Sequence, residues 1–175
     1  DRVGVLELVD QHHAVAGAQP PGGGAVGVAQ GRRQAGEHVV VGVEAPLPLA
    51  ARDLAPGTVV VDDKWQLTYG ENHVDAARWP DLPGFVAEQH AHGRRVLLWL
   101  KLWDPEGLPA DECVRNAAGL PIACDPSNPR FERRLRADVR RMLGPDGYNA
   151  DGFKLDFSAR IPTGPGLQRA GTAWG

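Results

Sequence analysis

Apolar positions gather in three short runs, separated by two stretches of helical spacing. Thr58-Val59-Val60-Val61 is mostly β-branched and unbroken, as in a strand buried on both faces. Arg95 to Leu102 encloses Val96-Leu97-Leu98-Trp99-Leu100, a second near-continuous apolar run. Asp151 to Phe157 alternates instead. Phe153, Leu155 and Phe157 take one face, and Lys154 and Asp156 take the other. Between the first two runs, Phe85 to His92 predicts a helix closed by Gly93, where a left-handed residue is wanted. Between the second and third, Phe131, Leu135, Val139 and Met142 recur at helical spacing, with arginines on the other, solvated faces. Asn128 followed by Pro129 is an N-cap with proline at the first helical position, and Gly144-Pro145-Asp146-Gly147 stops the helix. Trp79 to Pro83 and Glu106 to Asn128 read as loops. The order strand, helix, strand, helix, strand argues for a parallel sheet covered by helices.

Upstream the pattern fades. The first lysine is Lys64, the first aromatic is Trp65, and all eleven aromatics lie from there onward. Residues 1 to about 50 are rich in Gly, Ala, Val, Gln and His, with a Pro20-Pro21-Gly22-Gly23-Gly24 breaker. Aromatics supply much of a core's buried area, so this is a poor core builder. Val3 to Val9 and His38 to Val43 have strand composition, the latter without a face preference. The expected organisation is a weakly structured segment over residues 1–45 and an α/β unit over residues 46–175. A shifted reading frame or a misplaced start would produce the same abrupt change of composition.

Length and charge narrow the classes. A chain of 175 residues supports one domain with a real core, yet is short of the ~250 typical of a complete α/β barrel. A net charge of −3 argues against nucleic-acid or anionic-membrane partners, which want a basic face. No apolar run approaches the ~20 residues of a membrane span. The start at Asp1-Arg2 shows no signal-peptide core, so a cytoplasmic location is expected. Cys113 and Cys124 lack metal-ligand spacing and could be one bridge or two thiols. His12-His13 has no partner at ligand spacing, and no cofactor or metal motif is present.

Each predicted strand ends in polar or tryptophan residues. In a parallel sheet these ends share one edge, so Asp62, Asp63, Lys64, Trp65, Lys101, Trp103, Asp104, Lys154 and Asp156 should converge. All three lysines of the chain are in that set. A buried strand face bearing both an ammonium and a carboxylate is costly unless the two are paired or used. Three readings compete: a structural Lys–Asp pair, a divalent-cation site on Asp62, Asp63, Asp104 and Asp156, and a sugar site. Interleaved lysines oppose the cation, whereas tryptophans beside carboxylates suit sugars, whose C–H faces pack on flat rings.

Thr58–Gly70, Arg78-Trp79-Pro80-Asp81, Val96–Leu100 into Trp103, and Asp151–Phe157 together resemble the barrel of retaining α-glycosidases, glycoside hydrolase families 31 and 36. The resemblance covers about residues 46 to 170. It implies a partial (β/α)8 TIM barrel, roughly the first half, which would expose a sheet edge prone to self-association. It also implies a sugar or oligosaccharide substrate and no cofactor. Asp156 would be the nucleophile; Asp62, Asp63, Trp65, Trp99, Lys101, Trp103 and Lys154 would bind the sugar. Either Trp99 or Trp103 matches the third-strand tryptophan. The family's acid/base comes from later in the barrel, and no acidic residue follows Asp156. The expectation is therefore hydrolysis of α-glycosides by descent, idle in this chain; the alternatives are a non-catalytic carbohydrate-binding remnant or gene fragment, and a metal-dependent hydrolase built on the carboxylate cluster.

Overall fold

The computed structural model describes residues 40–43 and 57–171. Four strands, β1 (Val40–Val43), β2 (Thr58–Val61), β3 (Arg95–Leu100) and β6 (Gly152–Leu155), form one sheet in the order β1-β2-β3-β6. Every pairing is parallel: Val43 lies opposite Val61, Val61 opposite Leu98, and Leu100 opposite Leu155. The sheet therefore begins upstream of the boundary expected at residue 46. The stretch Val3 to Val9 and the His12-His13 pair lie outside the described residues. Among the described residues the sheet is open, with β1 and β6 as its edges, and is not closed into a barrel.

The parallel pairing follows from the sequence pattern. Val59, Val60 and Val61 are at most 3% exposed, as a strand covered on both faces requires. Helix α1 (Leu82–Ala91) returns the chain from β2 to β3 and packs Phe85 and Val86 into the core. It starts three residues earlier than predicted. The Asp81 carboxylate accepts the Gly84 N–H at 2.8 Å, so an N-cap stands inside the stretch expected to be loop. Gly93 sits one residue past the cap with φ +71°, as expected from its position. Helix α2 (Pro129–Leu143) is capped by Asn128 Oδ1, which accepts from Arg130 N at 2.9 Å, and it buries Phe131 and Met142. Among the described residues no helix is long and apolar enough to cross a membrane.

The predicted long loop after β3 holds an antiparallel hairpin, β4 (Cys113–Arg115) and β5 (Pro121–Cys124). Its turn is built by Asn116, whose Oδ1 accepts from Ala118 N and Leu120 N, and by Gly119 at φ +78°. Glu112, 7% exposed, ties the hairpin to α2. Its two oxygens accept from Arg134 Nε at 2.7 Å and Nη2 at 3.0 Å. Arg134, and Arg141 reaching the Glu71 carbonyl at 3.0 Å, are thus structural bonds rather than a purely solvated face.

The Arg134 hydrogen bonds hold the Glu112 carboxyl below its ordinary pKa, against the opposing effect of burial. Its stabilisation is complete above the unfolded-state pKa of about 4.3 and lost as pH falls through the lower folded value. Glu112→Gln is expected to lower stability by about 2 kcal/mol at pH 7, read by urea denaturation. An unchanged midpoint would remove this pair from the account of the fold.

Candidate active site

The strand ends do meet. Asp62 and Asp63 follow β2, Lys101 follows β3, and Asp156 follows β6, with Lys154 opposite Trp99 in the sheet register. Lys154 Nζ lies 3.3 Å from Asp62 Oδ1 and 3.6 Å from Asp156 Oδ2, so one ammonium joins two carboxylates from different strands. Lys154, 14% exposed in its side chain, would be costly without partners, and these two carboxylates supply them.

Asp156 is held by three elements. Trp99 Nε1 donates to its Oδ2 at 3.0 Å, and the Phe157 N–H donates to its Oδ1 at 2.8 Å. Its own N–H donates to the Leu100 carbonyl at 3.0 Å. Burial pushes the Asp156 carboxyl up, but the Trp99 and Phe157 N–H donors and the Lys154 ammonium outweigh it, and the pKa is lowered. The result is an ionised carboxylate whose side chain is 35% exposed and reachable from solvent.

Phe157 departs from the alternating pattern. The strand ends at Leu155, and Phe157 takes a left-handed φ of +55° and is 37% exposed, not on a buried face. That conformation is uncommon for a bulky residue, and two contacts hold it. One is the Asp156 bond above. The other is Trp103 Nε1, which donates to the Phe157 carbonyl at 3.0 Å. Lys64, beside Asp63, is likewise left-handed at φ +65°.

A second charged group adjoins the first. Lys101 Nζ is 2.6 Å from Asp104 Oδ2 and lies 4.7 Å from the Trp103 ring centre and 5.2 Å from that of Tyr69. Tyr69, a residue with no role expected from the sequence, joins the cluster. Its hydroxyl donates to Asp63 Oδ1 at 2.9 Å, and its ring packs 5.7 Å from that of Trp99. Burial, together with the bond to Asp63, pushes the phenol pKa up to about 12, so it remains a proton donor in its hydrogen bond. Gly70 permits this loop to sit close. A Cβ there would lie 2.6 Å from the Glu106 carbonyl oxygen.

The tryptophans divide into two roles. Trp65 is 0% exposed, with Nε1 donating to the Trp99 carbonyl at 2.7 Å and its ring edge-on to Tyr148. The expectation that it binds sugar is corrected: no face of the ring is open. Trp99, 1% exposed, presents no open ring face and reaches Asp156 through its N–H, whereas Trp103 is half-buried and keeps part of its ring accessible. Trp79 is 1% exposed and packs edge-on against Phe85. The cation-site reading fails on geometry. Lys154 occupies the space between Asp62 and Asp156, Lys101 takes Asp104, and no described group of three His, Cys, Asp or Glu could hold a metal.

No family model matches the sequence, and no curated protein matches it. Solved structures with a similar fold exist. One is a GH31 alpha-xylosidase from a soil metagenome complexed with xylose: TM-score 0.53, 14% identity, covering 69% of this chain and 20% of that one. Kfla1895, solved as a mutant in complex with isomaltose, gives TM-score 0.50 at 21% identity, covering 75% of this chain and 26% of that one. The same protein with cyclobis-(1->6)-alpha-nigerosyl gives 0.51 at 19% identity, covering 75% and 25%. At these identities the likeness is one of fold. The chain spans about a quarter or less of the length of these proteins.

Proposed function

We propose that this end of the sheet is a site for α-glycosides, with Asp156 as the nucleophile of a retaining reaction. The observation that carries the reading is the Asp156 carboxylate itself: kept ionised, reachable, and oriented by Trp99, Phe157 and Lys154. Trp103 offers a ring for a sugar face, and Asp62 and Asp63 offer acceptors for hydroxyl groups. The xylose and isomaltose in the neighbouring structures point to the same ligand class. The same reading makes the sheet part of a (β/α)8 barrel, supported by parallel strands adjacent in chain order.

In the reaction Asp156 attacks the anomeric carbon as the bond to the leaving oxygen breaks, giving a glycosyl ester that water then cleaves. An ordinary glycoside also needs a protonated carboxyl group, about 5–5.5 Å from the nucleophile, to hand a proton to the leaving oxygen. Burial raises the pKa of Asp138, but that residue lies on α2 against Arg141. We therefore expect this chain to form the ester only when the leaving group needs no proton.

A 5-fluoro-α-glycosyl fluoride separates these steps, because fluoride departs unprotonated and the ring fluorine slows the second step. The glucosyl or xylosyl reagent is expected to add one glycosyl mass to the chain, on the tryptic peptide of residues 155–160. An unlabelled chain that still binds isomaltose by calorimetry would favour a non-catalytic carbohydrate-binding role. Neither labelling nor binding would end the sugar reading.

A further inference from the structure

We propose that Cys113 and Cys124 form a cross-strand disulfide under oxidation, locking the two strands of the hairpin together beside the segment that carries Trp103. The inference stands apart from the glycoside reading. The two residues lie directly opposite each other in the β4–β5 ladder, and both are free thiols. Around them, Asp125 N donates to the Glu112 carbonyl at 3.0 Å, while Cys124 N donates out of the hairpin to the Trp103 carbonyl at 2.9 Å. That arrangement marks a non-hydrogen-bonded antiparallel pair, in which the Cα atoms approach to about 4.5 Å and the side chains are closest. A disulfide needs a Cα separation of about 4.4–6.8 Å, a range that this type of pair falls within.

The reduced thiols have other partners. Cys124 Sγ donates to the Leu102 carbonyl at 3.1 Å, and Cys113 Sγ to the Pro109 carbonyl at 3.3 Å. Those carbonyls bracket the segment of residues 102–109, which carries Trp103, Asp104 and Glu106. Closing the bond would give up these two weak S–H bonds to the segment in exchange for a covalent tie within the hairpin, leaving the Cys124 N–H bond to the Trp103 carbonyl in place. Cys113 and Cys124 are 4% and 8% exposed, and burial pushes the Cys124 thiol up to about 12 and raises Cys113 as well. Thiolate is therefore scarce at neutral pH, and closure should be slow there and faster in alkali.

With oxidised glutathione the atoms balance. One protein thiolate attacks a glutathione sulfur, forming a mixed disulfide and releasing one reduced glutathione. The second protein thiolate then attacks the protein sulfur of that bond and expels the other. Two electrons and two protons leave the protein.

The test incubates the whole chain with oxidised glutathione at pH 7 and pH 9. Expected are a loss of two hydrogens, no thiol reactive after denaturation, and tryptic peptides 102–115 and 116–130 joined until reduced. Closure should be faster at pH 9, and hydrogen exchange at the Cys124 amide should slow several-fold once it is complete. Cys124→Ser should lose the cross-link and keep a single glutathione adduct at most. Two persistent thiols, a stable double adduct, or cross-links only between chains would overturn the proposal. Unchanged exchange at Cys124 would overturn the claim that the disulfide rigidifies the hairpin.

Discussion

Asp156→Asn is expected to abolish covalent labelling by the glycosyl fluoride, by at least ~10³-fold, while the chain stays folded. The loss follows from chemistry. A neutral amide is a poor nucleophile toward an anomeric carbon, and the retained size of the side chain introduces no cavity. The fold survives because Lys154 is not orphaned. Its ammonium keeps Asp62 at 3.3 Å when the Asp156 charge is gone. What the variant gives up is an acceptor, since the amide NH2 must face one of the N–H donors of Trp99 or Phe157, at a cost of about 1–3 kcal/mol. The pH dependence of the wild type checks the same assignment. Asp156 has a lowered pKa, so its ionised form persists to below the ordinary carboxylate value of about 3.9. Labelling should be flat from pH 7 to about 5 and decline only under stronger acid. Stability linked to this group has the same sign: present above the unfolded pKa, lost as pH falls through the folded one. A labelling rate that rises on acidification, or an Asn variant labelled like the wild type, would remove Asp156 from the role.

Periodicity made the sheet legible, and topology made the cluster legible. Once the three apolar runs are parallel neighbours, their ends must share an edge, and Asp62, Lys154 and Asp156 meet with no further information. What stayed hidden depends on partners far away in sequence. Trp65 follows two aspartates and looks like a site residue, yet its N–H is satisfied 34 positions away by the Trp99 carbonyl. Only three-dimensional packing distinguishes that ring from Trp103. The Tyr69–Asp63 bond and the Arg134–Glu112 tie are of the same kind: each residue is unremarkable until its partner arrives. The alternation through Phe157 failed for another reason. A period of two describes the side chains of a strand, and the strand stops at Leu155, where hydrogen bonds from Trp103 and to Asp156 turn the backbone left-handed. Two local signals do stand in the sequence. Asp81-Leu82-Pro83 is a helix start, and Asn116 with Gly119 is a turn between two short strands.

Trp65→Ala is expected to cost a large share of the stability, about 3–5 kcal/mol for the cavity alone, against a typical total of about 5–15 kcal/mol. Two further losses act in the same direction. The edge-on contact with Tyr148 disappears, with centroids now 5.9 Å apart, and the buried Trp99 carbonyl loses the donor it holds at 2.7 Å. Trp65→Phe separates size from hydrogen bonding: it keeps a ring in the core and removes only the N–H, for about 1–3 kcal/mol. The site should register that change too. Trp99 is fixed at its carbonyl by Trp65 and carries the indole N–H that stabilises the Asp156 carboxylate. Loosening the carbonyl end weakens that bond and moves the Asp156 pKa upward, so the acid limb of the labelling profile shifts to higher pH. Urea midpoints and the pH profile of the Phe variant measure the two effects independently. A Trp65→Ala chain that unfolds at the wild-type midpoint but binds isomaltose more weakly would return the ring to a sugar-binding role and make its burial here incidental.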